Sequence, residues 1–395
     1  MKSVLIFKLS PLHSAPRVQR TYKAIHEHYS ITTAGLSAIG ADKENFIDLT
    51  DCLSIKETEI NFHLKFPAPI RKIFSFFIKV FLQQGYSKSA YLENKYWTRA
   101  HKAILQKLNT RKYDIVIAHG VDALPIGYEL AKRHNAKLVF NAHEYYPREF
   151  EENPNWVLYN QPLNTYLCEK YLSKTDFIFS VTDGISKEYK KVFNVNPITI
   201  TNAAPYYNMI PNENFLKIRI IHHGVALRSR RIHEMIECAK LLDNRFEVDF
   251  MLVEQDKEYY EELGKMIKMN SNIRLIKPVK YNEIVSFINK YHIGFYILPK
   301  SNFNNEMALP NKFFEFIQAR LMLAISPNQE MANIVKQFNI GVVADDYSYQ
   351  SMAKAINSLT IENIKAYQRN TIKCANEMNA ETNAKVILNS INSLN

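Results

Sequence analysis

The sequence predicts an α/β protein made of two Rossmann-like, doubly wound parallel-sheet domains. Three observations lead there. A chain of 395 residues exceeds what one hydrophobic core usually organises. Short apolar runs alternate with helical segments, the pattern of βαβ units. The runs are short and rich in β-branched and aromatic residues, as expected of strands buried on both faces.

In chain order, the first series of strand-like runs is SVLIFKL, YDIVIAHG, AKLVFNAHE, DFIFSVT and PITITNA. The second is IRIIHHG, EVDFMLVE, NIRLIKPV, IGFYILP, LMLAIS and IGVVAD. Between the series, NAAPYYNMIPNENF at 202–215 replaces periodicity with Pro, Asn and Tyr, which marks a boundary. The expected division is 1–205 for the first domain and 206–375 for the second, with a helix over 376–395 that crosses back to the first. Residues 66–90 break the alternation: from Ile70 to Leu82 apolar residues recur at 3- and 4-residue spacing, with Arg71, Lys72 and Lys79 between them. Two readings fit this stretch: an amphipathic helix on an anionic membrane surface, or a core helix packed on a sheet.

Composition narrows the function classes. Apolar residues make up 47% and charged residues 23%, the balance of a folded globular protein. Lys and Arg outnumber Asp and Glu by 50 to 39, which favours phosphate-bearing ligands, anionic membranes or nucleic acid. The four cysteines are scattered, with no metal-ligand spacing, so a reduced, cytoplasmic protein is expected. The opening run is broken by Lys8 and Pro11 and reads as a strand rather than a signal peptide. No segment reaches the roughly 20 apolar residues of a membrane span.

Ligands of doubly wound sheets bind beyond the carboxyl ends of the strands, and three such places carry chemistry. The first is HHGVALRSRR, where Gly224 permits close backbone approach and Arg228, Arg230 and Arg231 precede a helix, a combination suited to phosphate. The second is LPNKFFEF: Pro310 and Asn311 start a helix, Lys312 stands beside its outward N–H groups, and Glu315 follows one position beyond the first turn. Such a helix start suits a diphosphate, and the carboxylate suits a diol such as ribose; alternatively Glu315 merely complements the helix dipole. The third is NAHEYYPREF, where His143 and Glu144 follow a strand and could handle a proton, bond a ligand or serve structure alone. His119-Gly120 occupies a similar position.

Together with KLSPLHSAPRVQR near the start and SVTDGISKEY before the boundary, these motifs resemble a retaining GT-B glycosyltransferase of family 4. The resemblance covers nearly the whole chain and is most specific at LPNKFFEFIQA. It implies two domains facing each other across a cleft, the first taking a glycan acceptor and the second a nucleotide sugar. It assigns the diphosphate to Lys312 and to Arg230 or Arg231, the ribose to Glu315, and the reacting end of the cleft to His143 and Glu144. The donor is a substrate, so no cofactor is implied, and no acidic pair implies a metal. Two departures stand out. The position eight before Glu315, where the family often has Glu, is Met307, with Glu306 beside it, and ARLMLAISP replaces a small Gly-containing turn.

The implied function is transfer of a sugar from a UDP-, GDP- or similar donor to a bacterial surface glycan, a capsule or lipopolysaccharide, at the inner face of the membrane. A nucleotide-sugar epimerase shares the fold and is the alternative. A nucleic-acid-binding protein is the remaining reading, but the basic residues are dispersed and no recognition motif is present.

Overall fold

A computed structural model describes residues 1–40, 44–55, 85–268 and 270–394. The amphipathic stretch at 70–82 lies outside the described residues. The chain divides into two compact units, Met1–Ile200 with Ala384–Asn395, and Thr201–Asn383.

Unit 1 holds a seven-stranded sheet of β1 (Ser3–Phe7), β2 (Ser30–Gly35), β3 (Phe46–Asp48), β4 (Ile115–His119), β5 (Lys137–Asn141), β6 (Phe177–Ser180) and β7 (Ile198–Thr199). Its order is β3-β2-β1-β4-β5-β6-β7 and its pairings are parallel. Unit 2 holds β8 (Ile218–Ala226), β9 (Phe246–Glu254), β10 (Ile273–Ile276), β11 (Ile293–Tyr296), β12 (Met322–Ile325) and β13 (Gly341–Val343). These are also parallel, in the order β10-β9-β8-β11-β12-β13. Both sheets are α/β and doubly wound, so each reverses strand order once, between β1 and β4 and between β8 and β11. A crevice opens at that point beyond the strand carboxyl ends.

Every strand-like run named above is a strand, and two strands were not foreseen. β2, SITTAG, is polar enough in sequence to pass for a turn, yet Thr32 and Thr33 are buried in it. β3 is a three-residue edge strand. The units also divide at 200/201 rather than 205/206. Ala203 and Ala204 are buried in the unit 2 core, the Ala380 N–H donates to the Ala204 carbonyl at 2.9 Å, and the Asn383 amide donates to the Thr201 carbonyl at 3.0 Å. The C-terminal helix Ala380–Asn392 changes unit part-way along: from Ala384 onward it groups with unit 1, where Ile387 and Ile391 join the core of Val4, Ile6 and Val18.

A buried guanidinium ties together the strand ends that shape the unit 1 crevice. Arg17, on the helix Pro16–Ile25, donates to Asn141 Oδ1 at 2.5 Å, to the Ile200 carbonyl at 2.6 Å and to the Ser180 carbonyl at 2.9 Å. These acceptors lie at the ends of β5 and β6 and just beyond β7. Burial, reinforced by Arg20, lowers its pKa to about 9, still charged at neutral pH. Arg17→Ala orphans three buried acceptors and should cost about 3–5 kcal/mol, read as a lower urea midpoint.

Candidate functional site

The unit 2 crevice contains a cavity of 460 Å³ whose polar wall comes from β8 and from the helix Asn311–Gln318. That helix is positioned from below. Phe313, Phe314, Phe316 and Ile317 are buried in the unit 2 core, and Gly294 of β11 leaves room where a Cβ would collide with the Phe316 ring. Pro310 is the N-cap, in extended conformation and without a side-chain cap, so the first-turn N–H groups of Asn311 and Lys312 have no capping side chain. Gly224, Arg230, Pro310, Asn311, Lys312 and Glu315 all line this one cavity.

Lys312 is half-buried, and its Nζ stands 4.2 Å from the ring centre of Tyr296, at the end of β11. Gly224 sits at φ +154°, and a Cβ there would lie 2.8 Å from the Lys312 Nζ. Glycine thus makes room for the ammonium. Burial, then Arg230, lowers the Lys312 pKa to about 7, against a smaller opposing pull from Glu315. An ammonium this poorly solvated gains from an anion.

Glu315 is 5% exposed, and its Oε2 lies 3.3 Å from Nε2 of His223. The approach is within ion-pair distance, but it is misaligned for a hydrogen bond, since His223 Nε2 makes none. Nor is it a salt bridge: burial, then Lys312, lowers the His223 pKa to about 3, so the imidazole is neutral. His222 beside it bonds through Nδ1 to the Phe295 carbonyl at 3.0 Å. The Asn311 Oδ1 is likewise buried without a hydrogen bond. Beyond this polar wall the cavity is apolar, with Val225, Leu227, Met251, Val253, Val279 and Ile284.

The three arginines after β8 part ways. Arg230 lines the cavity. Arg231, in left-handed conformation at φ 49°, turns away to pair with Glu234. Arg228 lies over Tyr259 and pairs with Glu262 at 2.9 Å. The left-handed turn at Arg231 itself sends its side chain away from that of Arg230, a distinction hidden in the string RSRR. Glu306 pairs with Lys300 at 2.5 Å and does not line the cavity.

In unit 1 a recess of 440 Å³ opens beyond β1, β4 and β5. His143 and Glu144 line it, together with Lys8, Asp122, Tyr146, Glu149, Trp156, Asn160 and Asn164. Burial, then Glu144 and Asp122, raises the Glu149 pKa to about 7. The His143 backbone N–H donates to the Tyr146 hydroxyl at 3.3 Å, and the Tyr189 hydroxyl donates to the Glu144 carbonyl at 2.8 Å. These bonds fix the loop after β5. Lys8 and Asp122, not proposed from sequence as site residues, were marked only by following strand ends. Trp156 and Asn164 come from later helices and carry no local signal.

Among the described residues, no cluster of three or more His, Cys, Asp or Glu could hold a metal ion, and no helix is long and apolar enough to cross a membrane. Residues 78–203 match the model of Glycosyltransferase Family 4. No curated protein matches the chain. Among solved structures, Anabaena HepE in complex with UDP matches with a TM-score of 0.68 at 10% identity, each chain covered over 100%. An E. coli trehalose-6-phosphate protein bound with UDP-2-fluoro glucose matches at 0.64 and 11%, with 98% of each chain covered. S. aureus TarM, in a complex that includes UDP, matches at 0.58 and 14%, over 74% of this chain and 58% of TarM. At such identities the likeness establishes the two-domain GT-B fold.

Proposed function

We propose that the chain, which has the GT-B fold and matches the Glycosyltransferase Family 4 model over 78–203, moves a sugar from a nucleotide-sugar donor to a glycan acceptor. One observation carries the donor assignment: an anion-seeking Lys312 at an uncapped helix start, with the buried carboxylate of Glu315 on the next turn of the same cavity. The donor diphosphate lies against Lys312, Arg230 and the first-turn N–H groups, Glu315 accepts from the ribose hydroxyls, and the base enters the apolar end. UDP is the favoured carrier, because HepE and the E. coli protein were each solved with a uridine diphosphate ligand.

The acceptor lies in the unit 1 recess, with His143 and Glu144 at its reacting end. Departure of the diphosphate places negative charge on oxygens held by Lys312, Arg230 and backbone N–H groups, so preorganised donors stabilise the transition state and no metal is needed. Retention of configuration and a product in a bacterial surface glycan are supported by the family 4 resemblance. Docking on an anionic membrane is supported by the pattern of 70–82.

The test is release of UDP or GDP from a panel of nucleotide sugars, with and without glycan acceptors, in EDTA. Release that depends on acceptor and survives chelation supports the proposal. Isomerisation of the sugar without acceptor selects an epimerase instead, and loss of activity in EDTA removes the metal-free mechanism.

A further inference from the structure

Two histidines meet at the carboxyl ends of β4 and β5. His119 closes β4 and is fully buried. Its Nδ1 lies 3.1 Å from Nε2 of His143, with the rings edge to face at 87° and 5.4 Å between centres. The other nitrogen of His119, Nε2, is buried with no hydrogen-bond partner. His143 is half-buried and lines the unit 1 recess.

Both rings are neutral. Burial, then Arg17 and Lys8, holds the His119 pKa well below the usual imidazole value. Burial, then His119, Lys8, Arg17 and Arg20, does the same to His143. A neutral imidazole carries one N–H, so the contact can form in two ways. If His143 donates from Nε2, the His119 proton must sit on its own Nε2, a buried donor with no protein acceptor. If His119 donates from Nδ1, only a lone pair is left bare at its Nε2. Orphaned buried N–H groups are the rarer defect, so the second arrangement prevails.

We infer that His119 is a positioning residue: it donates its Nδ1–H to His143 Nε2, fixes His143 as the Nδ1–H tautomer, and so leaves it an N–H donor, not a base, for an oxygen of the bound ligand. That the ligand is a sugar substrate rests on the proposed transferase reading; the tautomer does not. In this state His143 has no free lone pair to take an acceptor proton, because its Nε2 is engaged. Its remaining N–H can bond a sugar hydroxyl or an oxygen on which charge develops, the task of a neutral imidazole electrophile.

The test is long-range ¹H–¹⁵N correlation on the full chain with ¹⁵N-labelled histidine at pH 7, with the His143 signals assigned by their loss in His143→Gln. The expected spectrum shows His143 protonated at Nδ1 in the unaltered protein and in His119→Asn, whose side-chain amide can donate in place of the ring Nδ1–H. In His119→Leu, which cannot donate, the proton moves toward Nε2. Transfer turnover should fall roughly tenfold to a hundredfold in His119→Leu, the worth of one hydrogen bond at the reacting centre, with the donor KM unchanged and most of the loss recovered in His119→Asn. Protonation of His143 at Nε2 in the unaltered protein, or the same tautomer in His119→Leu, would overturn the inference whether or not transfer is ever detected.

Discussion

Lys312→Met is expected to lower turnover by about two to three orders of magnitude, the usual loss when one preorganised donor to a developing anion is removed. Folding should not suffer with it. The ammonium is held where burial and Arg230 both disfavour its charge, so in the free protein it does not add to stability. A methionine of similar length still covers Tyr296 and carries no charge. The melting temperature of Lys312→Met should therefore equal or exceed that of the unaltered protein, while steady-state release of nucleotide diphosphate collapses. A variant that loses both stability and activity would mean that Lys312 serves the fold.

The same ammonium sets a pH dependence for donor binding. In the free protein its pKa is lowered to about 7, and a bound diphosphate must raise it, because the anion favours the charged form. Affinity is then fully present below about pH 7 and falls as pH rises through that value toward the pKa of the complex, by at most about tenfold per unit. Calorimetry at pH 8 in buffers of different ionisation enthalpy should show proton uptake on binding, and Lys312→Met should abolish it.

Glu315→Ala is the second large effect. A buried carboxylate bonded to the ribose hydroxyls is worth about 1.5–3 kcal/mol, so donor affinity should fall roughly tenfold to a hundredfold. Direct titration of the nucleoside diphosphate checks this without depending on the acceptor. Glu315→Gln is the informative companion, since it keeps the shape beside His223 but not the charge. It should lie between the two, whereas equal affinities in all three proteins would return Glu315 to a helix-dipole role.

The fold was legible because strands buried on both faces are mostly apolar, and such runs as YDIVIAHG and IGFYILP have no other economical reading. β2 escaped because its Thr32 and Thr33 hide polar atoms in a buried strand, and β3 because three residues make no pattern. The unit 2 cavity was legible to the extent that it is local: Pro310, Asn311, Lys312 and Glu315 belong to one helix start, and Gly224 and Arg230 to one strand exit. Tyr296 under Lys312 was not, because a tertiary approach from β11 places it there. Nor could the string RSRR reveal that a left-handed residue would turn Arg231 to Glu234 and leave Arg230 at the cavity. The unit 1 recess gathers side chains from Lys8 to Asn164, a span that no local motif encodes.

Calorimetric titration of UDP and GDP into the unaltered protein, Lys312→Met and Glu315→Ala tests most directly whether the unit 2 cavity is a sugar-nucleotide site. The expected result is one-site binding of one of the two nucleotides, UDP before GDP, weakened at least about tenfold in each variant. Binding of neither nucleotide, or binding that both variants leave intact, would contradict it.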